Sequence, residues 1–547
     1  MDRITRRLYT AWTLVNAGIV RPMRPDKVLR IGLALQRFGP TPAAGYTGAA
    51  IRDPDRLAVV DELGTLTYAE VHTRTNALAH ALSDAGIVEG DGVAIMCRNH
   101  RGFIEATVAC SKLGAHALYL NTAFAGPQID DVVQRESPRA IVFDEEFREL
   151  IGDAAVRRKR FVSWTEGDEP VPDPTLEELV EAGDPSDVVP PAEPARVVIL
   201  TSGTTGTPKG ASRSQPETLD PAAALLSKIP LRAEETTMIA APLFHSWGFA
   251  HFTLGMALSS TLVLKRKFDP EATLSLTAQH QATALAVVPV MLQRIIELGE
   301  ETIAKYDLSA LRVIALSGSA LSPALTEQAT EAFGDVLYNL YGSTEVAWAA
   351  IATPADLREA PGTVGRPPRG TIVKLLDEET QEEVSQGETG RIFVGNEMLF
   401  EGYTGGGSKD MVNGLMATGD LGHFDEHGRL FVDGRDDEMI VSGGENVFPQ
   451  EVEELLCRHD GVAEVAVLGV DDEEFGQRLK AVVVKRDGAD LDEDEVKQHV
   501  KKHLARYKVP RDVEFVDDLP RNATGKVLKR ELSKPPEERE AGTPHGG

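Results

Sequence analysis

Cysteine is scarce in this chain. Cys97, Cys110 and Cys457 are the only three among 547 residues, too few, too scattered and odd in number for a disulfide framework or a four-cysteine metal site. They fit a reducing compartment. Positive charge is also in deficit: 57 Lys+Arg against 85 Asp+Glu leave a net charge of −28. A nucleic-acid backbone would therefore be repelled rather than release its counterions to the protein. Several common motifs are missing. There is no G-x-G-x-x-G, no G-x-S-x-G and no Walker G-x-x-x-x-G-K-[ST] spacing, so the Rossmann dehydrogenase, serine hydrolase and P-loop readings lose their usual support. No repeat of fixed period occurs. The longest run without Asp, Glu, Lys or Arg covers 29 residues, 236–264, enough on paper to cross a bilayer. Pro242, His245, Ser246, Gly248 and His251 interrupt it, and it reads as strand, turn, buried helix and strand.

What is present is a soluble globular composition, 42% hydrophobic and 26% charged. The length predicts three to four domains, or fewer if one is a large α/β unit. Residues 1–40 stand apart. Eight basic side chains (Arg3, Arg6, Arg7, Arg21, Arg24, Lys27, Arg30 and Arg37) face only Asp2 and Asp26, a local charge of +6. Leu8, Trp12, Val15 and Ile19 recur at helical spacing, which predicts a basic amphipathic helix. It is expected to dock on the protein, with an anionic membrane surface as the alternative. A signal peptide fits less well, since no A-x-A site precedes Arg21. The expected location is cytoplasmic, with a peripheral contact at the inner face of a membrane left open.

Beyond residue 40, β and α patterns alternate. LTYAEVHTRTNALAHAL reads as a strand end entering a helix, and GDGVAIMCRN as a strand and its turn. The Pro-rich stretch 184–196 reads as a surface connection. Three apolar runs end in small-residue loops: RVVIL into TSGTTGTPKG, LRVIAL into SGSALSP, and VLYNL into YGSTE. Ligands of open α/β sheets sit beyond the carboxyl ends of the strands, so three such loops predict one shared pocket. EGYTGGGSKD (401–410) reads as a further flexible loop. From about Met439 the pattern changes to a small α+β unit, and the polar, Pro/Gly-rich tail is too poor in apolar residues to fold alone. The expected divisions are an N-terminal extension (1–40), a large α/β domain of βαβ-type sheets (41–436), a small mobile α+β domain (437–533) and a disordered tail (534–547).

The sharpest motif is TSGTTGTPKG, residues 201–210. Small hydroxylated and glycine residues let backbone N–H groups line a concavity suited to an anion, and Lys209 adds a mobile cation. This loop predicts a phosphate cradle.

Together with YGSTE, ATGD, GRDDEMIVSGGENVFPQEVE and LPRNATGKVLKREL, it resembles the adenylate-forming enzymes, specifically acyl-CoA synthetases, over roughly Leu66 to Leu532. The resemblance implies two steps. A carboxylate attacks the α-phosphate of ATP and releases pyrophosphate; the CoA thiol then displaces AMP. ATP, CoA and a carboxylic acid become the expected substrates, Mg²⁺ the expected cofactor, and nucleic acid is not an expected partner.

The resemblance also implies site residues. Lys526 matches the lysine that bridges carboxylate and α-phosphate, offsetting the repulsion of two anions. Glu345 offers a hard oxygen to Mg²⁺, with Thr201 facing the same ion. Thr201, Ser202, Gly203, Thr204, Thr205, Gly206 and Lys209 hold phosphate. Asp420 matches the acid that accepts both ribose hydroxyls, assisted by Arg435. Tyr341 offers an aromatic face to adenine, Gly318, Ser319 and Ala320 leave room on its other side, and Asn339, Gly342, Ser343 and Thr344 complete the nucleotide set. His245, in PLFHSWG, orients the carboxylate, whereas His251 is read as structural. Asp437 matches the hinge about which the small domain turns, and Gly443 and Gly444 the pantetheine passage.

Two positions depart from the family pattern, Ala211 after the phosphate loop and the SRSQP segment that follows it. They touch the neighbourhood of the acyl pocket, not a reacting group. The apolar 236–264 stretch and the basic N-terminus favour a medium- or long-chain fatty acid as substrate. The alternatives are an aryl acid handled by the same mechanism and a ligase that passes its acyl-AMP to a carrier protein.

Overall fold

The computed structural model of the chain describes residues 3–152, 157–167, 169–201, 209–212, 218–442, 445–472, 476–522 and 525–534. Four sheets carry the described chain. The first has eight strands, in the order Ala350–Ala352, Leu337–Tyr341, Val313–Leu316, Ala284–Val287, Thr236–Ile239, Thr261–Leu264, Leu57–Asp61 and Gly64–Thr67. Its inner pairs are parallel and both edge pairs are antiparallel. Strands such as VIAL, ALAV and TLVL are buried at every residue, which is why they read as continuous apolar runs rather than alternations.

A second, seven-stranded sheet contains the strand Val197–Thr201, flanked on one side by His116–Tyr119 and on the other by Lys209–Ser212. The expected helices lie between these strands. Tyr68–Asp84, for example, opens with a capping box in which Thr67 Oγ1 accepts from the Glu70 N–H while Glu70 accepts from the Thr67 N–H at 2.7 Å. The 236–264 stretch folds as strand, helix and strand. Its helix, Ser246–Leu258, is apolar all round because it is packed on two sides. Phe249, Phe252 and Met256 meet one core cluster; Trp247, Leu254 and Leu258 meet another, together with Val288, Ala315, Leu340 and Trp348. No described helix is long and apolar enough to cross a membrane.

Residues 372–435 form a third, antiparallel sheet. The fourth contains Ile440–Ser442, Glu445–Val447, Val462–Asp472, Gly476–Lys485 and Asp512–Val516. It has its own core around Val452, Val467, Ala481, Val483 and Val496.

Two readings of the sequence are corrected. The 401–410 segment is not loop throughout: Gly402 and Tyr403 pair as a short strand with Ser212 and Ala211. The flanking glycines hid that pairing, because a two-residue strand has no periodicity to detect. The N-terminal helix, Arg3–Asn16, does dock on the protein, but of the expected stripe only Ile19, just beyond the helix, is buried. Leu8, Trp12 and Val15 are exposed, at 67%, 61% and 53%. Thr13, Leu14, Ala17 and Ile19 are the buried residues, and Leu14, Ala17 and Ile19 join Ala223–Leu226 in one cluster. Thr10 also donates to Asp220 at 2.6 Å.

Candidate active site

At the end of the strand Leu337–Tyr341 the loop that follows meets residues of the second and third sheets. Tyr341 ends its strand, and its phenol donates to Asp420 Oδ2 at 2.6 Å and lies 3.3 Å from Thr418 Oγ1. Asp420 stands directly across the sheet from Arg435, whose Nε is 3.6 Å from Oδ1. Burial pushes the Asp420 carboxyl above its ordinary pKa; the Tyr341 hydrogen bond and the charges of Arg435, Lys526 and Lys409 oppose that rise. Burial, with Asp420 adding to it, also holds the Tyr341 phenol neutral. Asn339, on the same strand, is buried, and its Oδ1 has no hydrogen-bond partner within the protein.

After Tyr341 the chain turns sharply. A β-carbon on Gly342 would lie 2.3 Å from the Ala347 carbonyl oxygen, so only glycine fits there. Ser343 Oγ accepts from the N–H of Glu345. Thr344 Oγ1 is 3.0 Å from Ser246 Oγ, which ties this turn to the start of the Ser246–Leu258 helix. Glu345 is 9% exposed, and its Oε1 accepts from Tyr403 at 2.8 Å. The Tyr403 ring in turn lies under the Lys209 ammonium, 5.2 Å from its centroid. The phosphate-loop lysine and Glu345 therefore share one aromatic neighbour. A buried carboxylate whose hydrogen-bond partner is a neutral phenol suits a hard cation such as Mg²⁺. Glu345 would hold it, and the ion would supply positive charge to the phosphates of ATP.

Lys526 belongs to the small domain. Its turn is closed by Asn522, whose Oδ1 accepts from the Lys526 N–H at 2.9 Å. Gly525 has φ +78°, and a β-carbon there would lie 2.3 Å from Val290 Cγ1. The lysine-bearing turn is thus pressed against the helix Pro289–Ile296 of the large domain, with the Lys526 charge felt at Asp420. The Lys526 ammonium is 4.0 Å from Glu438.

His245 stands at the N-cap position of the Ser246–Leu258 helix, where its side chain makes no capping hydrogen bond. Its Nε2 is buried without a partner, and burial lowers its pKa to about 4. Gly318, Ser319 and Ala320 follow the strand Val313–Leu316 and are open to solvent to differing degrees. Thr201 ends its strand opposite Lys209. The side chains of Thr201 and Asp437, and all of Ser202, Gly203, Thr204, Thr205, Gly206, Gly443 and Gly444, lie outside the described residues.

The structure adds Tyr403 and Lys409, which sequence reasoning passed over, and describes the surroundings of His251, which the sequence reads as structural. Tyr403 was hidden in a glycine-rich segment. Lys409 approaches Gly419, with Nζ 3.5 Å from where a β-carbon would stand, and acts on Asp420. His251 is 2% exposed, with both ring nitrogens unpartnered.

Among the described residues, one trio of potential metal donors lies close together: Cys97, His100 and Asp144. Its bonds are already made. His100 Nδ1 accepts from the Gly102 N–H, which leaves the proton on Nε2 facing Asp144 at 2.8 Å. Asp144 also accepts from Ser163 and from the Arg98 N–H. This is a buried brace.

The family model for AMP-binding enzymes matches residues 47–404, and the model for the AMP-binding enzyme C-terminal domain matches residues 451–526. The chain is 34% identical to an indoleacetate–CoA ligase of Aromatoleum aromaticum over 501 residues, covering 88% of this chain and 94% of the relative. It is 30% identical to the fatty acid–[acyl-carrier-protein] ligase ScoC of Streptomyces coeruleorubidus, covering 88% and 94%. Among solved structures it resembles the o-succinylbenzoate CoA synthetase MenE of Bacillus subtilis in complex with the acyl-adenylate OSB-AMP. That match has a TM-score of 0.79 at 26% identity and covers 90% of this chain and 98% of the other.

Proposed function

This chain belongs to the AMP-binding enzyme family and is an AMP-forming acid–thiol ligase that works through an acyl-adenylate, and from that premise we propose that its acid is aromatic and that Lys526 drives the adenylation step. The observation that carries the role of Lys526 is its turn, packed on Val290 with its charge reaching Asp420. A cation held there offsets the mutual repulsion of carboxylate and triphosphate as they approach in line. Asp420 takes the ribose hydroxyls and Tyr341 fixes its orientation. Lys209 and the 201–206 loop hold the outgoing phosphates, Glu345 holds Mg²⁺, and His245 orients the carboxylate. A lysine over the α-phosphate would obstruct an incoming thiol. Rotation about Asp437 then withdraws it and brings Gly443 and Gly444 to the pantetheine arm.

The indoleacetate and o-succinylbenzoate relatives support an aromatic acid. A second reading, a medium- or long-chain fatty acid, is supported by the fatty-acid relative and by the N-terminal helix. Exposed Leu8, Trp12 and Val15 within a segment of charge +6 suit peripheral contact with an anionic lipid surface. Pyrophosphate release across a panel of aromatic and straight-chain acids, with and without CoA, separates the two. The aromatic reading predicts release with the aromatic members and little with C8–C16 acids. Preference for the straight chains, with co-sedimentation on phosphatidylserine vesicles, would replace it with the second.

A further inference from the structure

In the small domain, the helix Glu493–His503 carries Glu495, His499 and His503 at successive i, i+4 positions, the spacing that stacks side chains along one face. The His499 and His503 rings have centroids 4.7 Å apart and planes at 43°. His459, in the turn after the helix Pro449–Leu456, also meets His499, edge-on at 4.8 Å and 86°. Three imidazoles thus gather at one end of this helix.

The hydrogen bonds decide which ring nitrogens remain available. A carbonyl can only accept, so His503 Nδ1, 2.8 Å from the His499 carbonyl oxygen, carries a proton and leaves the lone pair on Nε2. The His499 ring donates to the Leu455 carbonyl. Its Nε2 is buried without a partner in the protein, so that bond falls to Nδ1 and the lone pair is again on Nε2. His459 differs. Its Nδ1 accepts from the Gly461 N–H at 3.1 Å, which puts the proton on Nε2, facing Glu495 at 3.7 Å. Two adjacent imidazoles therefore hold out Nε2 while Nδ1–H is fixed by a backbone carbonyl, the outer hydrogen bond that orients a metal-binding histidine.

We propose that His499 and His503 form a chelating site for one divalent transition-metal ion of the kind that imidazole prefers, Zn²⁺, Ni²⁺ or Cu²⁺, separate from the Mg²⁺ assigned to Glu345. The spacing fits: at a metal–nitrogen distance of about 2.0–2.1 Å, two imidazoles sharing one ion have centroids roughly 4.5–5.2 Å apart. Burial, followed by the charges of His459 and His503, lowers the His499 pKa, which keeps its lone pair free at neutral pH. Glu495 lines the same depression as His499, a space of about 380 Å³, and with the negative end of the helix it attracts a cation. Lys501 and Lys502 line that depression too and oppose one. Two ligands against that repulsion make a site weaker than a four-ligand structural zinc.

The test is calorimetric titration of the untagged full chain, free of nucleotide, with zinc chloride and with nickel chloride, in a large excess of Mg²⁺. The unaltered chain should take up one ion that Mg²⁺ does not displace, because Mg²⁺ prefers oxygen ligands. His499→Ala and His503→Ala should each weaken binding by at least about 10-fold, and His459→Ala should leave it within a few-fold. Uptake by the unaltered chain should also weaken in mild acid, since a protonated imidazole cannot ligate. Melting curves without metal check each fold; His503 is exposed, so His503→Ala carries the test if His499→Ala proves unstable. No saturable uptake by the unaltered chain, or uptake unaffected by both substitutions, overturns the proposal. A loss in His459→Ala as large as in the other two overturns the assignment of the lone pairs and the proposal with it.

Discussion

The Tyr341 phenol donates a 2.6 Å hydrogen bond to Asp420 Oδ2 across 79 residues of chain. It joins the end of an α/β strand to the antiparallel sheet that follows. That bond sets the carboxylate's orientation and opposes the burial that raises its pKa. Tyr341→Phe should therefore move Asp420 further upward. The acid limb of kcat/KM for ATP should shift to higher pH, because in the proposed mechanism the ionised carboxylate is the form that accepts the ribose hydroxyls. Asp420→Ala should cost about 10- to 100-fold in kcat/KM for ATP, as expected for hydrogen bonds to a charged group. A pH profile unmoved in Tyr341→Phe would dissociate the two residues.

Lys526→Ala should lower acyl-adenylate formation by about 10²- to 10³-fold while leaving thioester formation from supplied acyl-AMP within a few-fold of normal. Separate assays of the two half-reactions check this. Equal loss in both would mean that the lysine supports the fold rather than the first step.

Gly525 tests the domain contact. An alanine there adds a β-carbon 2.3 Å from Val290 Cγ1 and strains a backbone at φ +78°. Gly525→Ala should impair adenylation and spare thioester formation, since in the proposed mechanism only the first step needs this turn against Pro289–Ile296. Val290→Ala in the same chain should recover part of the loss by removing the obstructing methyls, although the backbone strain remains. Adenylation that stays at the unaltered rate in Gly525→Ala would show that the contact is not needed for chemistry.

Stability should fall in mild acid. His251 is buried with its pKa lowered to about 4, whereas an unfolded histidine titrates near 6.5. Between these values the unfolded chain binds a proton that the folded chain does not. Its contribution is present above about pH 6.5 and is lost as pH falls toward 4, at up to about 1.4 kcal/mol per pH unit for one group. Between pH 7.5 and 4.5 the melting temperature of the unaltered protein should fall more steeply than that of His251→Leu. Parallel curves would count against the neutral buried imidazole.

Much of the framework was legible in the residues. Runs such as VIAL and ALAV announce parallel strands because nothing polar is tolerated on either face. The loops after them announce a pocket because small residues follow buried strands. Features that depend on residues far apart in sequence were not legible. Tyr403 gains its importance only through Glu345 and Lys209. His251 looks like any histidine in an apolar run until its two nitrogens are found without partners. The N-terminal stripe misled because spacing reveals that a helix has an apolar side, not which side its neighbour will accept.

The 396–403 segment holds the Glu345 turn at several points. Asn396 donates to the carbonyls of Val346 and Trp348, the Phe400 N–H donates to the Glu345 carbonyl, and Tyr403 bonds the Glu345 side chain. Anyone splicing this chain with a relative inherits a rule from that arrangement. A crossover between 345 and 403 pairs a turn from one parent with a brace from the other, whereas one within 184–196 leaves the two together.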